Sequence, residues 1–244
     1  MERKIGNYKS SIASLTLSDR TLMENTLILG ETGSGKTHLA NKIREFVINS
    51  NVPTIYFDFS DPDLDKIEDR FKTSAHFHYM RFDESEAFEK ALDEAIAEKK
   101  DIYMAVNPEF FSSKKEVKSQ LSKVIQKKAL LENYYYFMQV IVKPEGFFTK
   151  FEDFVFYIFD MINMKKYGLS FVSQPNEIFE NTRIKLLFSF LYVGRCSNAY
   201  YYNTVVLRSL PPHHFVHQVR VDHKSLLFNP IKTDIVCIDT SDEQ

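Results

Sequence analysis

This sequence predicts an α/β protein: a three-layer sandwich with a mostly parallel central sheet and a β-rich C-terminal tail. Three observations carry that prediction. Apolar runs of strand length alternate with segments of helical periodicity, the pattern of a parallel sheet covered on both faces. Three glycines, Gly30, Gly33 and Gly35, fall between one such strand and one such helix, although the 244-residue chain has only seven glycines in all. From about residue 211 the helical alternation stops and short β-branched runs take over.

The elements follow in order. Thr26–Leu29 is a short apolar strand, and Thr37–Asn49 places Leu39, Ile43, Phe46 and Val47 on one helical face. Val52–Phe59 is β-branched and aromatic and reads as a second strand, ended by an acidic turn holding Asp58, Asp61, Asp63 and Asp65. Phe77–Phe82 is a strand and Ser85–Lys99 a helix with Phe88, Leu92 and Ile96 four apart, after which Asp101–Val106 returns to strand. Ser113–Glu132 reads as an amphipathic helix, Tyr134–Val142 as a long apolar strand, and Phe148–Met164 as an aromatic helix that belongs to the core or to a subunit interface. Leu169–Ser173 and Ile184–Val193 are strands and Ala199–Leu210 a helix. Phe215–Val221, Leu226–Ile231 and Asp234–Ile238 close the chain as short strands. One domain over 1–244 is expected, with a core at about 20–210 and a β extension at about 211–244.

Composition excludes several classes. A 44% hydrophobic share with 22 Phe and 13 Tyr fills a sizeable core, so disorder and a fibrous repeat are excluded. No apolar run approaches the ~20 residues that cross a bilayer, and Met1–Gly6 lacks a signal peptide's apolar segment. A cytoplasmic location is expected, the host cytoplasm if the source is viral. Cys196 and Cys237 have no metal-ligand spacing and read as two buried thiols. His213 and His217 are four apart but beside Pro211–Pro212, and read as a polar loop. With a net charge of −2, binding to DNA needs a local basic patch.

Gly30-Glu-Thr-Gly-Ser-Gly-Lys-Thr37 fits G-x-x-x-x-G-K-[ST] with a strand before it and a helix after it. A loop around a pyrophosphate must aim backbone N–H groups inward and let phosphate approach bare backbone, which calls for positive φ and no Cβ at Gly30, Gly33 and Gly35. Lys36 offers a cation to the β- and γ-phosphates, Thr37 a hydroxyl to Mg²⁺, and the helix its positive end. The expected nucleotide contacts are Gly30, Glu31, Thr32, Gly33, Ser34, Gly35, Lys36, Thr37 and His38. No N-K-x-D element for guanine is present, so ATP with Mg²⁺ is the expected ligand, on a P-loop NTPase fold of the ASCE, RecA-like group.

The run Asn25–Ala40 resembles the opening of the FtsK/HerA superfamily of DNA-pumping ATPases. Ile55–Asp58 followed by Asp61 resembles the second strand of the HerA branch. Lys165–Gln174 is similar to the segment in which a basic pair and Tyr-Gly precede a strand ending in Gln, and Leu207–Pro212 resembles the family's leucine-proline-proline turn. The resemblance implies an oligomeric ring, hexameric by expectation, that hydrolyses ATP to translocate double-stranded DNA. Genome packaging into a viral capsid is the specific setting, with capsid or membrane-associated virion proteins as partners. It implies a γ-phosphate sensor at Gln174 and a trans-acting basic residue, stabilising transition-state charge, at Lys165, with Arg183 and Arg195 as rivals. The family's Walker B strand ends in Asp-Glu, whereas Phe137–Val142 here runs into Lys143-Pro-Glu145. Three arrangements are open: Glu145 reaches the metal and the lytic water, Asp58 with Asp61 holds the metal's water shell, or hydrolysis is weak. Two other classes stay open as well, an AAA+ initiator or helicase loader and a nucleotide-binding regulatory protein without turnover.

Overall fold

The computed structural model describes residues 2–58, 77–81, 85–105, 133–140, 167–175, 182–197, 203–219 and 232–240. The chain divides into two compact units, Met1–Ser50 with Gly168–Gln244, and Asn51–Tyr167.

In the first unit the strands are β1 (Glu2–Tyr8), β2 (Ser14–Ser18), β3 (Thr26–Leu29), β8 (Leu169–Ser173), β9 (Phe190–Val193), β10 (His214–Val219) and β11 (Lys232–Ile238). Their order is β2-β1-β11-β10-β9-β3-β8. β3 is buried along its length and pairs in parallel with both β8 and β9. Both neighbours of the glycine-loop strand therefore come from far along the chain, the arrangement expected of an ASCE sheet. The pairs from β9 through β10, β11 and β1 to β2 are antiparallel, so the β-rich tail adds directly to the parallel core.

Helix α1 (Asp19–Met23) precedes β3, and α2 (Lys36–Asn49) follows it. Leu39, Ile43, Phe46 and Val47 are fully buried on one face of α2, each worth about 1.5–3 kcal/mol. The Ser50 hydroxyl closes the helix on the Phe46 carbonyl at 2.8 Å.

Two departures from expectation lie in this unit. Residues 2–18 form a β-hairpin the sequence reading left out: Ser14–Ser18 alternates, with Leu15 and Leu17 inward, but β1 is mostly polar and owes its place to pairing with β11. The expected strand Ile184–Val193 is instead a helical turn, α4 (Thr182–Lys185), followed by the shorter β9. Asn25 enforces the break. Its side-chain amide donates to the Leu187 carbonyl at 3.0 Å and its backbone carbonyl accepts from Ser189 N–H at 2.9 Å, while its Oδ1 accepts from Leu169 N–H at 3.0 Å. The helix expected over Ala199–Leu210 is α5 (Thr204–Ser209), capped by Asn203 Oδ1 on Val205 N–H at 3.0 Å.

The second unit holds β4 (Thr54–Asp58), β5 (Phe77–Arg81), β6 (Asp101–Ala105) and β7 (Tyr135–Val140), all parallel in the order β7-β4-β6-β5. Asp101 Oδ1 sets the start of β4 by accepting from Thr54 N–H at 2.6 Å and Oγ1 at 2.9 Å. Tyr56 stacks on Tyr103 of β6 and Phe137 of β7, with centroids 5.1 and 5.6 Å apart. Helix α3 (Ser85–Ala97) buries Leu92, Ala95 and Ile96. The expected helices at Ser113–Glu132 and Phe148–Met164 and the strand at Leu226–Ile231 lie outside the described residues.

Candidate functional site: the Gly30–His38 loop

The loop leaves the sheet between β3 and α2, and its first residues continue the ladder to β9. Gly194 N–H donates to the Leu29 carbonyl at 2.8 Å, and Glu31 N–H to the Arg195 carbonyl at 2.9 Å. Gly33 and Gly35 adopt φ of +77° and +93°, conformations that cost an L side chain about 1–2 kcal/mol. Gly30 does not share that conformation, contrary to expectation. It is glycine for lack of space, because a Cβ there would land on the Ser34 side chain and lie 3.4 Å from the Gly194 Cα.

The backbone N–H groups of Thr32, Gly33, Gly35, Lys36 and Thr37 donate to no backbone carbonyl among the described residues. Successive N–H groups left open at the start of a 14-residue helix form an anion-binding nest. Lys36 is 5% exposed, and its ammonium donates to the Glu31 carbonyl at 2.8 Å. Burial pulls its pKa from 10.5 to about 8, with the Glu31 carboxylate opposing. Thr37 is exposed at the first turn of α2, and Ser34 Oγ is buried with no hydrogen-bond partner among the described residues.

Both flanks hold the loop. On one, Glu31 Oε1 accepts from the Ser197 N–H at 2.6 Å and from its hydroxyl at 2.5 Å. Those bonds, and then the charges of Arg195 and Arg208, keep the carboxyl below its usual range. On the other, His213 N–H donates to the Ser34 carbonyl at 3.1 Å from a left-handed φ of +61°. The His213 ring meets His38 edge-on at 4.9 Å, and His38 Nε2–H donates to the Asp239 carbonyl at 2.8 Å. A Cβ on Gly35 would lie 2.9–3.0 Å from His213.

The polar-loop reading holds for His213 and is corrected for His217. His213 is the turn residue that pins the phosphate loop, whereas His217 is buried in β10, stacked on Tyr192 at 4.3 Å with its Nδ1 3.0 Å from the Tyr8 hydroxyl. Cys196 is buried and Cys237 half-buried.

The remaining expected site residues divide. Gln174 follows β8, whose register pairs Ser173 with Leu29, so Gln174 stands level with Gly30 at the carboxyl edge. Arg195 lies beside its own chain's loop, and Arg183 is exposed on α4. Asp58 ends β4 in the second unit, buried, its carboxylate accepting from the Tyr103 hydroxyl. Asp61, Glu145 and Lys165 lie outside the described residues. Sequence reasoning missed Ser197 and His213 as supports of the loop, since neither carries a motif.

No protein-family model matches the chain, and no curated protein sequence matches it. Solved structures do. The genome-packaging NTPase B204 of Sulfolobus turreted icosahedral virus 2, in complex with sulfate, is similar at a TM-score of 0.52 and 10% identity, over 87% of this chain and 95% of that one. The cytoplasmic domain of the Thermomonospora curvata type VII secretion ATPase EccC gives 0.52 at 14% identity over 97% of this chain. ATPases 2 and 3 of EssC from Geobacillus thermodenitrificans give 0.51 at 13% over 96%. This chain spans 26% and 40% of those two secretion proteins. The likeness is one of fold, the α/β fold of the P-loop NTPases. No helix among the described residues is long and apolar enough to cross a membrane.

Proposed function

We propose that this chain binds ATP in the Gly30–His38 loop and hydrolyses it to move double-stranded DNA as a homo-oligomeric ring, hexameric by expectation. Its setting is genome packaging in the host cytoplasm, with capsid or membrane-associated virion proteins as partners. The observation that carries the nucleotide reading is the set of N–H groups of Thr32, Gly33, Gly35, Lys36 and Thr37, open among the described residues, beside a buried lysine. Among the described residues Lys36 donates to a backbone carbonyl of its own loop, and a phosphate oxygen offers it a stronger, charge-assisted partner. Likeness in fold to a genome-packaging NTPase supports the packaging setting.

The roles follow from the motif and from the resemblance. Lys36 neutralises the β- and γ-phosphates, the loop amides hold them in place, and Gln174 hydrogen-bonds the terminal phosphate or the attacking water. Thr37, whose hydroxyl is exposed next to the amide row, fits Mg²⁺, with Glu145, or Asp58 and Asp61, as the carboxylates that would hold its water shell. The metal supplies charge neutralisation across the phosphates. Lys165 is the basic residue offered to a neighbouring subunit's site.

The test is phosphate release from ATP with and without double-stranded DNA at low salt, where backbone contacts are strongest. DNA should accelerate release, and Lys36→Ala should lower nucleotide affinity by roughly 100-fold or more. An unchanged rate with DNA removes the motor reading and leaves a nucleotide-binding protein.

A further inference from the structure

We infer that Arg195 is a phosphate-contacting residue of its own chain's nucleotide site, held in readiness by Glu31 and directed at the terminal phosphate. The inference rests on the nucleotide reading and adds to it a residue and a direction, in cis rather than from a neighbouring subunit.

Backbone geometry places it there. The β3–β9 pairing continues beyond both strands through the Gly194–Leu29 and Glu31–Arg195 hydrogen bonds, so Arg195 leaves the sheet alongside the leading half of the phosphate loop. Its Nη2 lies 3.6 Å from the position a Cβ on Gly33 would take. No described residue accepts a hydrogen bond from its guanidinium, although Arg195 is only half-exposed. A planar fork of donors next to open backbone amides is suited to a phosphate oxygen.

The charges around the loop agree. Lys36, Arg195 and Arg208 surround it, and Glu31 is the carboxylate that acts with both arginines. That carboxylate is already engaged by two hydrogen bonds from Ser197. The ligand-free loop therefore carries an excess of positive charge, which a triphosphate offsets better than a diphosphate. The direction follows from the motif. The α- and β-phosphates sit on the amides at the start of the helix and the lysine reaches the β- and γ-phosphates. Residues 31–33, where Arg195 lies, are left facing the terminal phosphate.

The experiment compares full-length wild type, Arg195→Ala, Arg195→Gln and Lys36→Ala for binding of ADP and of a slowly hydrolysed ATP analogue, each with Mg²⁺, by fluorescent-nucleotide titration. Circular dichroism checks that each variant folds, and Arg195→Gln keeps a shorter polar side chain with an amide donor and no charge if the alanine variant does not fold. Both Arg195 variants should lose about 10- to 100-fold in affinity for the ATP analogue and less than about threefold for ADP. Equal losses for the two nucleotides, or no loss, overturn the inference while wild-type binding still upholds the nucleotide reading. A wild-type chain that binds neither nucleotide overturns both. Mixing Arg195→Ala with Lys36→Ala in equal amounts separates cis from trans. No recovery of tight analogue binding supports a residue in cis, and recovery places the arginine in a neighbour's site and overturns it.

Discussion

Strands β3 and β4 each lie between two parallel neighbours and are buried from end to end, yet their carboxyl ends present opposite chemistry. β3 runs into a loop whose shape is held by carbonyls and flanking side chains. The Glu31 and Ser34 carbonyls take Lys36 and His213, and the Glu31 carboxylate takes Ser197. The amides of Thr32 and Gly33 between them stay open among the described residues. β4 ends in Asp58, an anion whose charge is engaged within the sheet by the Tyr103 hydroxyl. The difference teaches how a binding edge is prepared. The loop uses its acceptors for structure and keeps most of its donors for a ligand, whereas Asp58 already has one oxygen engaged by a tyrosine.

Three measurements press on that comparison. Gly35→Ala should cost the most, about 2–4 kcal/mol of unfolding free energy in urea, because it combines a left-handed φ with a Cβ driven into His213. A loss under about 1 kcal/mol would mean that the His213 turn yields and does not hold the loop.

Next comes pH. Lys36 has a folded pKa of about 8 against 10.5 unfolded, so it is charged below 8 and must regain a proton to bind phosphate above it. Nucleotide affinity should be level up to about pH 8 and then fall by up to about tenfold per unit. For the ligand-free protein the sign is reversed. The cost of burying the charge is fully present below pH 8 and is relieved as pH rises from about 8 to 10.5, so this group's contribution to stability improves across that window. Isothermal titration and urea unfolding at matched pH would separate the two trends. An affinity that is level through pH 9.5 contradicts the role given to Lys36.

The smallest effect belongs to the other strand. Tyr103→Phe removes one donor from Asp58, which has further partners, and should cost about 1 kcal/mol. If Asp58 serves the metal, the variant should also bind nucleotide at lower Mg²⁺, since one of the carboxylate's acceptor positions is freed from the tyrosine. Unchanged Mg²⁺ dependence would direct attention to Glu145.

Much of the parallel core was legible because its signals are local. Thr26–Leu29 and Leu169–Ser173 coincide with β3 and β8, and the apolar spacing of Leu39, Ile43, Phe46 and Val47 marked the buried face of α2. The misses have physical causes. β1 carries too few apolar residues to show a period, and its pairing with β11 joins opposite ends of the chain. Ile184–Phe188 is apolar except for Lys185, which suits a strand and a helical turn equally well, and Asn25 decides between them from outside the segment.

By itself the sequence determined that a glycine-rich loop between strand and helix would expose backbone to an anion, with Lys36 and Thr37 in place. Phosphate binding of this kind depends on eight consecutive residues and the two elements that flank them. What holds that loop open was decided by tertiary structure alone. Ser197 reaches Glu31 across 166 positions of chain, and His38 meets Asp239 across 201. Such contacts depend on which strand lies next to β3, and strand order is set by long-range pairing that no local pattern encodes.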